Sequence, residues 1–227
     1  NEGSSCLSKD GKQLFFARCN SPDSYGSCDI FHAVLKPDST WGYTKNLGPA
    51  VNSIGWDSQP SLSHSGDTLF FASDRIGGLG FSDIYYSTKD KDGNWQKALN
   101  LGPIINTRGF EVSPFFHHKH NVLYFSSNGQ PLSFGGFDIL KSYKRSLTWD
   151  EPKNLGPLVN GPGSEYYFTI DSESNYLYYA SSTGDNVENL DLHSFPAPME
   201  AQPTAIAKLS GSLINSDTKK PFKGIVS

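Results

Sequence analysis

The sequence has little that would indicate a helical, membrane-spanning or nucleic-acid-binding protein. It contains one Met, no apolar run of about 18 residues, and no segment with sustained helical spacing of apolar residues. Its net charge is −4, and no cluster of Lys and Arg offers a set of phosphate contacts. We therefore expect no nucleic-acid partner and no membrane insertion.

Signatures of catalysis are also scarce. The nucleophile motif GxSxG does not occur, and no pair of Asp or Glu residues suggests glycosidase chemistry. The Gly-rich stretches "GGLGF" (77–81) and "FGGF" (134–137) lack the Lys-Ser/Thr and the helix that a phosphate-binding loop needs. We expect no catalytic residues and no enzyme activity.

What the sequence does contain is a repeat of about 54 residues. The segment "NLGPxxN" occurs three times, and a Trp precedes it each time, at Trp41, Trp95 and Trp149. Each copy reads as four short strands joined by tight turns, in keeping with 22 Gly and 14 Pro. The repeated phrase itself is expected to be a turn, because its Pro ends strand pairing and its Gly allows a sharp bend.

The second strand of each copy identifies the architecture. Its core reads "LFF" (14–16), "LFF" (69–71), "LYF" (123–125) and "LYY" (177–179). Continuous apolar runs are typical of sheets buried on both faces. Sister sheets stacked around an axis satisfy this requirement, so the sequence predicts an all-β fold, a β-propeller of four-stranded antiparallel blades.

The repeat also predicts the domain boundaries. The propeller is expected over residues 1–200, with blades at about 1–55, 56–109, 110–163 and 164–200. Residues 201–227 are expected to be a linker and the opening strands of a second, incomplete β-sandwich. The chain opens with "NEGSSC", without an initiator Met or a signal peptide, so we expect an excised or processed piece. Because it opens in the phase of an inner strand, we expect that one or more blades precede it.

The wording of the repeat resembles a known family. "SDRIGGLGFSDIYYS" followed by "NWQKALNLGPIINT" resembles the WD40-like propeller repeat related to TolB, as found in OmpA-family envelope proteins of Gram-negative bacteria, including type IX secretion components. The tail "AKLSGSLINSDTKKPFKGIVS" resembles the start of a carboxypeptidase-regulatory-like domain. The fourth copy departs from the repeat, since neither a Trp nor "NLG" follows "NLDLHSF".

The resemblance implies a location and partners. It places the protein in the periplasm, associated with the outer membrane, and allows the full-length form to be a lipoprotein. It implies other envelope or secretion-system proteins as partners. Peptidoglycan would be bound only through a domain outside this chain, because no OmpA-like domain is present in the sequence.

Acidic residues at the start of each innermost strand are one candidate site: Glu2, Asp57, Glu111 and Glu165. Around a propeller axis they could form a ring at one channel mouth that binds Ca²⁺ or a basic partner segment. The alternative, which we favour, is that each carboxylate accepts hydrogen bonds from turn N–H groups of the adjacent blade. No metal or other cofactor is otherwise expected.

The Gly-rich loops are the second candidate site. We expect them to leave Arg75, Phe81, Phe134 and Phe137 exposed on a face where partners could dock. An Asp follows each loop and should brace it by hydrogen bonds to backbone N–H groups. "HHKH" (117–120) falls on a hairpin turn, so we expect surface histidines there rather than a metal site.

The three cysteines include a candidate disulfide. Cys19 ends a second strand and Cys28 begins the third, so the two lie on adjacent strands across one loop. In an oxidising compartment they could form a bridge, whereas a reduced pair is the alternative. Cys6 is expected to be buried beside the inner strand.

Together these features predict a non-catalytic interaction module of a periplasmic envelope protein. The alternative is a glycan-binding, peptide-binding or hydrolytic propeller with an axial pocket. Convergent carboxylates and aromatic residues in one pocket would distinguish the second from the first.

Overall fold

The computed structural model of the chain describes residues 1–182, 189–204, 214–215 and 218–220. It confirms the all-β prediction: four antiparallel sheets form the four blades of a β-propeller. No helix in these described ranges is long and apolar enough to span a membrane. The predicted start of a sandwich domain in 201–227 falls mostly outside the described residues.

Each blade is a meander whose first strand is innermost. The strands of blade 1 are β1 Glu2–Leu7, β2 Gln13–Cys19, β3 Cys28–Leu35 and β4 Trp41–Asn46. Those of blade 2 are β5 Asp57–Leu62, β6 Thr68–Ser73, β7 Asp83–Thr88 and β8 Leu99–Asn100. Blade 3 comprises β9 Glu111–Phe116, β10 Val122–Ser127, β11 Asp138–Arg145, β12 Thr148–Trp149 and β13 Lys153–Asn154, the last two both pairing with β11. Blade 4 comprises β14 Ser164–Ile170, β15 Tyr176–Ser182 and β16 Leu190–Pro196.

Neighbouring blades pack through two different sheet faces. The middle residue of the apolar triplet points to the following blade, and the two outer residues point to the preceding blade. Between blades 1 and 2, Phe15 packs with Leu69 and Phe71. The same contact recurs at the other two interfaces, with these residues: Phe70 with Leu123 and Phe125, then Tyr124 with Leu177 and Tyr179. We call the two sides of a blade its forward face and its backward face.

The triplets of the two middle blades are buried on both faces, which confirms the reasoning from their apolar runs. The end blades differ. On the forward face of blade 4, Tyr178 is 37% exposed and Leu192 is 79% exposed, although Ile30 at the position of Leu192 is fully buried. On the backward face of blade 1, Leu14 is half-buried and Trp41 is 41% exposed.

The ring of the repeated Trp covers the preceding blade. Trp95 meets Phe15 edge-on at 6.0 Å between ring centroids, and Trp149 meets Phe70 in the same way at 6.1 Å. Both contacts add aromatic packing to the interface between blades.

The third interface has a short 3-10 turn, Met199–Ala201, instead of a Trp. Ala201 is fully buried there, in the same core cluster as Tyr124. The Tyr124 hydroxyl donates to the Ala201 carbonyl at 2.7 Å. Blades 1 and 2 have Phe at this position, whereas Tyr124 uses its hydroxyl to bond the backbone of this turn.

Candidate functional site

The "NLGPxxN" turn is held by a hydrogen-bond network between side chains and backbone. Asn46 Oδ1 accepts from the Gly48 amide and from Asn52 Nδ2, both at 2.8 Å. Asn52 also bonds the amide and the carbonyl of Ile30, at 2.9 and 3.0 Å. The turns that begin at Asn100 and Asn154 repeat these bonds, so the phrase has the architectural role that the sequence predicts.

The Asp after each Gly-rich loop braces that loop. Asp83 accepts from the Leu79 and Gly80 amides, and its Oδ2 also receives Asn100 Nδ2 at 2.7 Å. Asp29 and Asp138 hold their loops and their Asn partners in the same way. Because the Asn belongs to the turn, the loop and the turn lie together on one face of the propeller. The loop before Asp191 lies outside the described residues.

Gly80 shows why these loops need glycine. A Cβ atom at this position would collide with the backbone oxygens of Thr107 and Gly109, at the entry to the next blade. The Phe81 amide donates to the Gly109 carbonyl at 2.9 Å, and Ser82 forms a parallel bridge with Phe110. The glycines therefore allow backbone contact between blades, which leaves no need for a phosphate-binding explanation.

Three of the four acidic positions accept hydrogen bonds from the turn at the entry to their blade. Glu111 is fully buried and accepts from the amide and hydroxyl of Thr107, both at 2.7 Å, and from the Ser127 hydroxyl at 2.6 Å. Asp57 accepts from the amide and hydroxyl of Ser53 in the same way.

The two remaining acids, Glu165 and Glu2, have different environments. Glu165 accepts from the Ser181 hydroxyl at 3.1 Å, and burial raises its pKa to about 7. Glu2 is exposed and pairs with Arg18 at 3.0 Å. Nowhere in the described ranges do three His, Cys, Asp or Glu side chains form a group that could hold a metal ion. The structure therefore does not bring the four carboxylates together. Asp57, Glu111 and Glu165 have the turn-bonding role favoured above, whereas Glu2 pairs with Arg18 instead.

Arg75 is not an exposed docking residue, so that prediction is wrong. Its guanidinium lies over the rings of Phe71 and Tyr85, at 5.1 and 4.6 Å. Its Nη2 donates to Asp57 Oδ1 at 2.6 Å and to the Val51 carbonyl at 2.7 Å. A buried carboxylate is costly without a partner, and Arg75 supplies that partner at the interface between blades 1 and 2.

The phenylalanines of the Gly-rich loops do lie on a common face. Phe81 is 68% exposed and stacks on Phe110 at 5.0 Å. Phe110 contacts Phe137 at 6.2 Å, and Phe137 contacts Tyr166 at 4.9 Å. We call these four rings, which run across blades 2 to 4, the aromatic row. Phe137 is half-buried within it rather than freely exposed.

Further apolar side chains surround the aromatic row. Phe134, the remaining predicted docking residue, is exposed in the same loop as Phe137. Exposed aliphatic residues lie in these loops and turns: Ile54, Ile76, Leu79 and Leu132. Exposed apolar residues clustered on one face are typical of interaction sites. The sequence did not lead us to Phe110 or Tyr166. A signal for Phe110 was present, because Trp56 and Phe110 share the repeat position just before the acid and both are aromatic.

An axial cavity of about 440 Å³ lies between the four innermost strands. Each strand has a bulge with one residue at positive φ, and these residues occupy equivalent places in the repeat: Ser4, Gln59, Ser113 and Tyr167. Gln59 Oε1 accepts from the Ser113 amide at 2.7 Å, and Gln59 Nε2 donates to the Tyr167 hydroxyl at 3.5 Å. In the part of the chain that the structure describes, Ser113 Oγ and His118 Nε2 have no hydrogen-bond partner in this cavity wall.

The histidine hairpin differs from its prediction. His117 is buried, not on the surface, and its Nδ1 accepts from the Lys119 and His120 amides at 3.1 and 3.3 Å. Its Nε2 lies 3.3 Å from the Ser174 hydroxyl of blade 4. Burial lowers its pKa to about 4, so the neutral ring is a hairpin brace.

Cys19 and Cys28 form a disulfide bond between paired positions of β2 and β3. The bridge closes the Gly-containing loop of blade 1 at its base. Cys6 is free and half-buried, packed against the core between blades 1 and 2.

No family model matches the sequence, and no curated protein matches it either. Solved structures do match its fold. TolB from Agrobacterium tumefaciens has a TM-score of 0.58 and 12% identity over 87% of this chain and 61% of its own. TolB from Acinetobacter baumannii has a TM-score of 0.55 and 13% identity, over 86% and 41%. An α-L-arabinofuranosidase from Lactobacillus brevis has a TM-score of 0.56 and 12% identity, over 97% and 74%.

These comparisons bear on the fold alone, because the identities are low. The chain spans less than two thirds of the length of either TolB structure. Proteins with this fold include an enzyme as well as TolB, so the fold does not by itself determine the activity. The chain is a TolB-like β-propeller in architecture.

Proposed function

We propose that this propeller is a non-catalytic docking platform for another protein of the bacterial cell envelope. The aromatic row carries the proposal. Phe81 and its neighbours present stacked rings next to exposed aliphatic side chains, on a face whose loops are fixed by Asp and Asn hydrogen bonds. Rigid aromatic residues are frequent hot spots of protein interfaces, since they bury much area at little entropic cost.

A periplasmic location is part of the proposal. The Cys19–Cys28 disulfide supports it, because such bonds persist in oxidising compartments outside the cytoplasm. The likeness of the repeat to OmpA-family and type IX secretion proteins supports association with the outer membrane and a secretion assembly as the setting. Peptidoglycan attachment is assigned to a domain outside this chain.

Quantitative capture from an envelope extract tests the docking face. Wild-type protein, Phe81→Asp and Leu147→Asp would each be immobilised, and the bound envelope proteins would be measured by mass spectrometry. Leu147 is fully exposed in the hairpin between β11 and β12, so it is a matched surface control. We expect Phe81→Asp to lose a specific partner by about tenfold or more, as for a hot-spot residue, and Leu147→Asp to retain it. Equal capture by all three proteins would contradict the proposal.

A second candidate function is glycan binding in the axial cavity. Ser113 Oγ and His118 Nε2 favour it, because buried polar atoms without partners are unusual and both border the cavity. A fold shared with an arabinofuranosidase is compatible with this reading. Titration with neutral oligosaccharides distinguishes the two functions. Micromolar binding that is abolished by Gln59→Ala and unchanged by Phe81→Asp would favour glycan binding in the axial cavity.

A further inference from the structure

The backward face of blade 1 is constructed like an interface between blades. Arg18 lies over the rings of Phe16 and Phe31, at 5.4 and 4.8 Å, and pairs with Glu2. The buried interface of blade 2 has the same arrangement. There Arg75 lies over the rings equivalent to Phe16 and Phe31, and it pairs with the equivalent acid, Asp57.

The two arginines come from different repeat positions. Arg18 occupies a position that holds Ser in the other three blades, namely Ser73, Ser127 and Ser181. The copies therefore do not inherit this arrangement from the repeat. Arginines at two different repeat positions place a guanidinium over the same aromatic pair and beside the same acid, which indicates a common structural requirement of these two blade faces.

The role of the arginine is clear at the buried interface of blade 2. Arg75 Nη2 also donates to the Val51 carbonyl, which lies in the exit turn of the preceding blade. The guanidinium thus joins the aromatic face, the acid and the incoming turn. At blade 1, a hollow of about 410 Å³ lies where that turn would be, lined by Glu2, Leu14, Phe16, Arg18 and Trp41.

The exposure of Trp41 is independent evidence that this face lacks a packing partner. Its counterparts Trp95 and Trp149 each contact the middle Phe of the preceding blade edge-on. Trp41 is on the same side of blade 1 but remains 41% exposed. An aromatic residue from a forward face would complete its contact.

We propose that the backward face of blade 1 binds a further blade of this repeat that ends in the "NLGPxxN" turn. The forward-face aromatic residue of that blade contacts Trp41 and Leu14, and a carbonyl of its exit turn accepts from Arg18. The exposed forward face of blade 4 is a poorer occupant, because the chain after β16 lacks this turn.

A fusion protein tests the proposal with the whole chain retained. Residues 56–109 would be placed directly before Asn1, so that Gly109 precedes Asn1 as it precedes Phe110. The control fusion carries Phe70→Asp in the added copy only, which removes its forward-face aromatic residue. Acrylamide quenching of Trp41 is measured as the difference between each protein and its Trp41→Phe variant, alongside the urea midpoint.

We expect the added blade to raise the urea midpoint and to reduce Trp41 quenching several-fold, to the level of Trp95 and Trp149. The Phe70→Asp fusion should show neither effect. Arg18→Ser should lower the midpoint of the fusion more than that of the original chain. Unchanged Trp41 quenching in the fusion would overturn the proposal. So would concentration-dependent dimers of the original chain that shield Trp41, because a second copy would then be the occupant.

Discussion

Substitution of Arg75 by Ala should destabilise the propeller far more than the loss of an ordinary surface arginine. Asp57 is fully buried, and the Arg75 side chain is only 15% exposed. Removing one partner of a buried ion pair typically costs about 3–5 kcal/mol, because the remaining charge has no compensation. Asp57 keeps two hydrogen bonds from Ser53, so we expect a value near the lower end, about 3 kcal/mol.

Urea unfolding followed by Trp fluorescence measures this loss. Arg145→Ala is the control, since Arg145 forms an exposed pair with Asp150 at 3.0 Å, and such pairs contribute less than about 1 kcal/mol. Added salt should weaken the control pair and leave the Arg75 pair almost unchanged, because buried charges are little screened.

A double-mutant cycle with Asp57→Asn isolates the pair itself. We expect a coupling energy of at least about 2 kcal/mol between Arg75 and Asp57, within the range for residues in direct contact. If Arg75→Ala costs no more than Arg145→Ala, and the coupling is near zero, the buried bridge is wrong. Arg75 would then be available for docking, as the sequence alone suggested.

Three further predictions concern other contacts. Tyr124→Phe should lose about 1 kcal/mol in urea unfolding, because only the bond to Ala201 disappears; a loss above about 3 kcal/mol would contradict a simple missing hydrogen bond. The pKa of His117 is lower in the folded than in the unfolded protein, so its contribution to folding stability is complete above about pH 6.5 and is lost as the pH falls through about 4. The loss is at most about 3 kcal/mol, and His117→Asn should flatten the plot of folding stability against pH in this range. Alkylation in denaturing urea should label one cysteine without reductant and three with it; labelling of Cys19 or Cys28 in the absence of reductant would exclude the disulfide.

The fold could be predicted from the sequence because its determinants repeat. The buried triplets and the Asn residues of the turn recur at fixed spacing, and they make the same contacts at each of the three interfaces between blades. Because the same contact is needed at each interface, the same residue types recur at the same positions of the repeat, and this recurrence is visible in the sequence. The acids at the blade entries also recur, and Asp57, Glu111 and Glu165 accept hydrogen bonds from the turns as the sequence led us to favour. Glu2 pairs with Arg18 instead.

The candidate site could be predicted only in part, because its residues belong to single copies. Arg75 looked like a loop arginine, since nothing in one copy reveals that it reaches Asp57 and the preceding blade. Phe110 was missed because its ring meets Phe81 only after two blades come together. The exposure of Leu192 depends on what lies beside blade 4, which no local pattern encodes.

Photo-crosslinking in cells is the sharpest test of the docking face. A photoreactive phenylalanine analogue would replace Phe81 in one protein and Leu147 in another, and crosslinked products would be compared after irradiation. We expect a discrete crosslink to an envelope protein from position 81 and none from position 147. Crosslinks from position 147 alone, or none from either position, would contradict it.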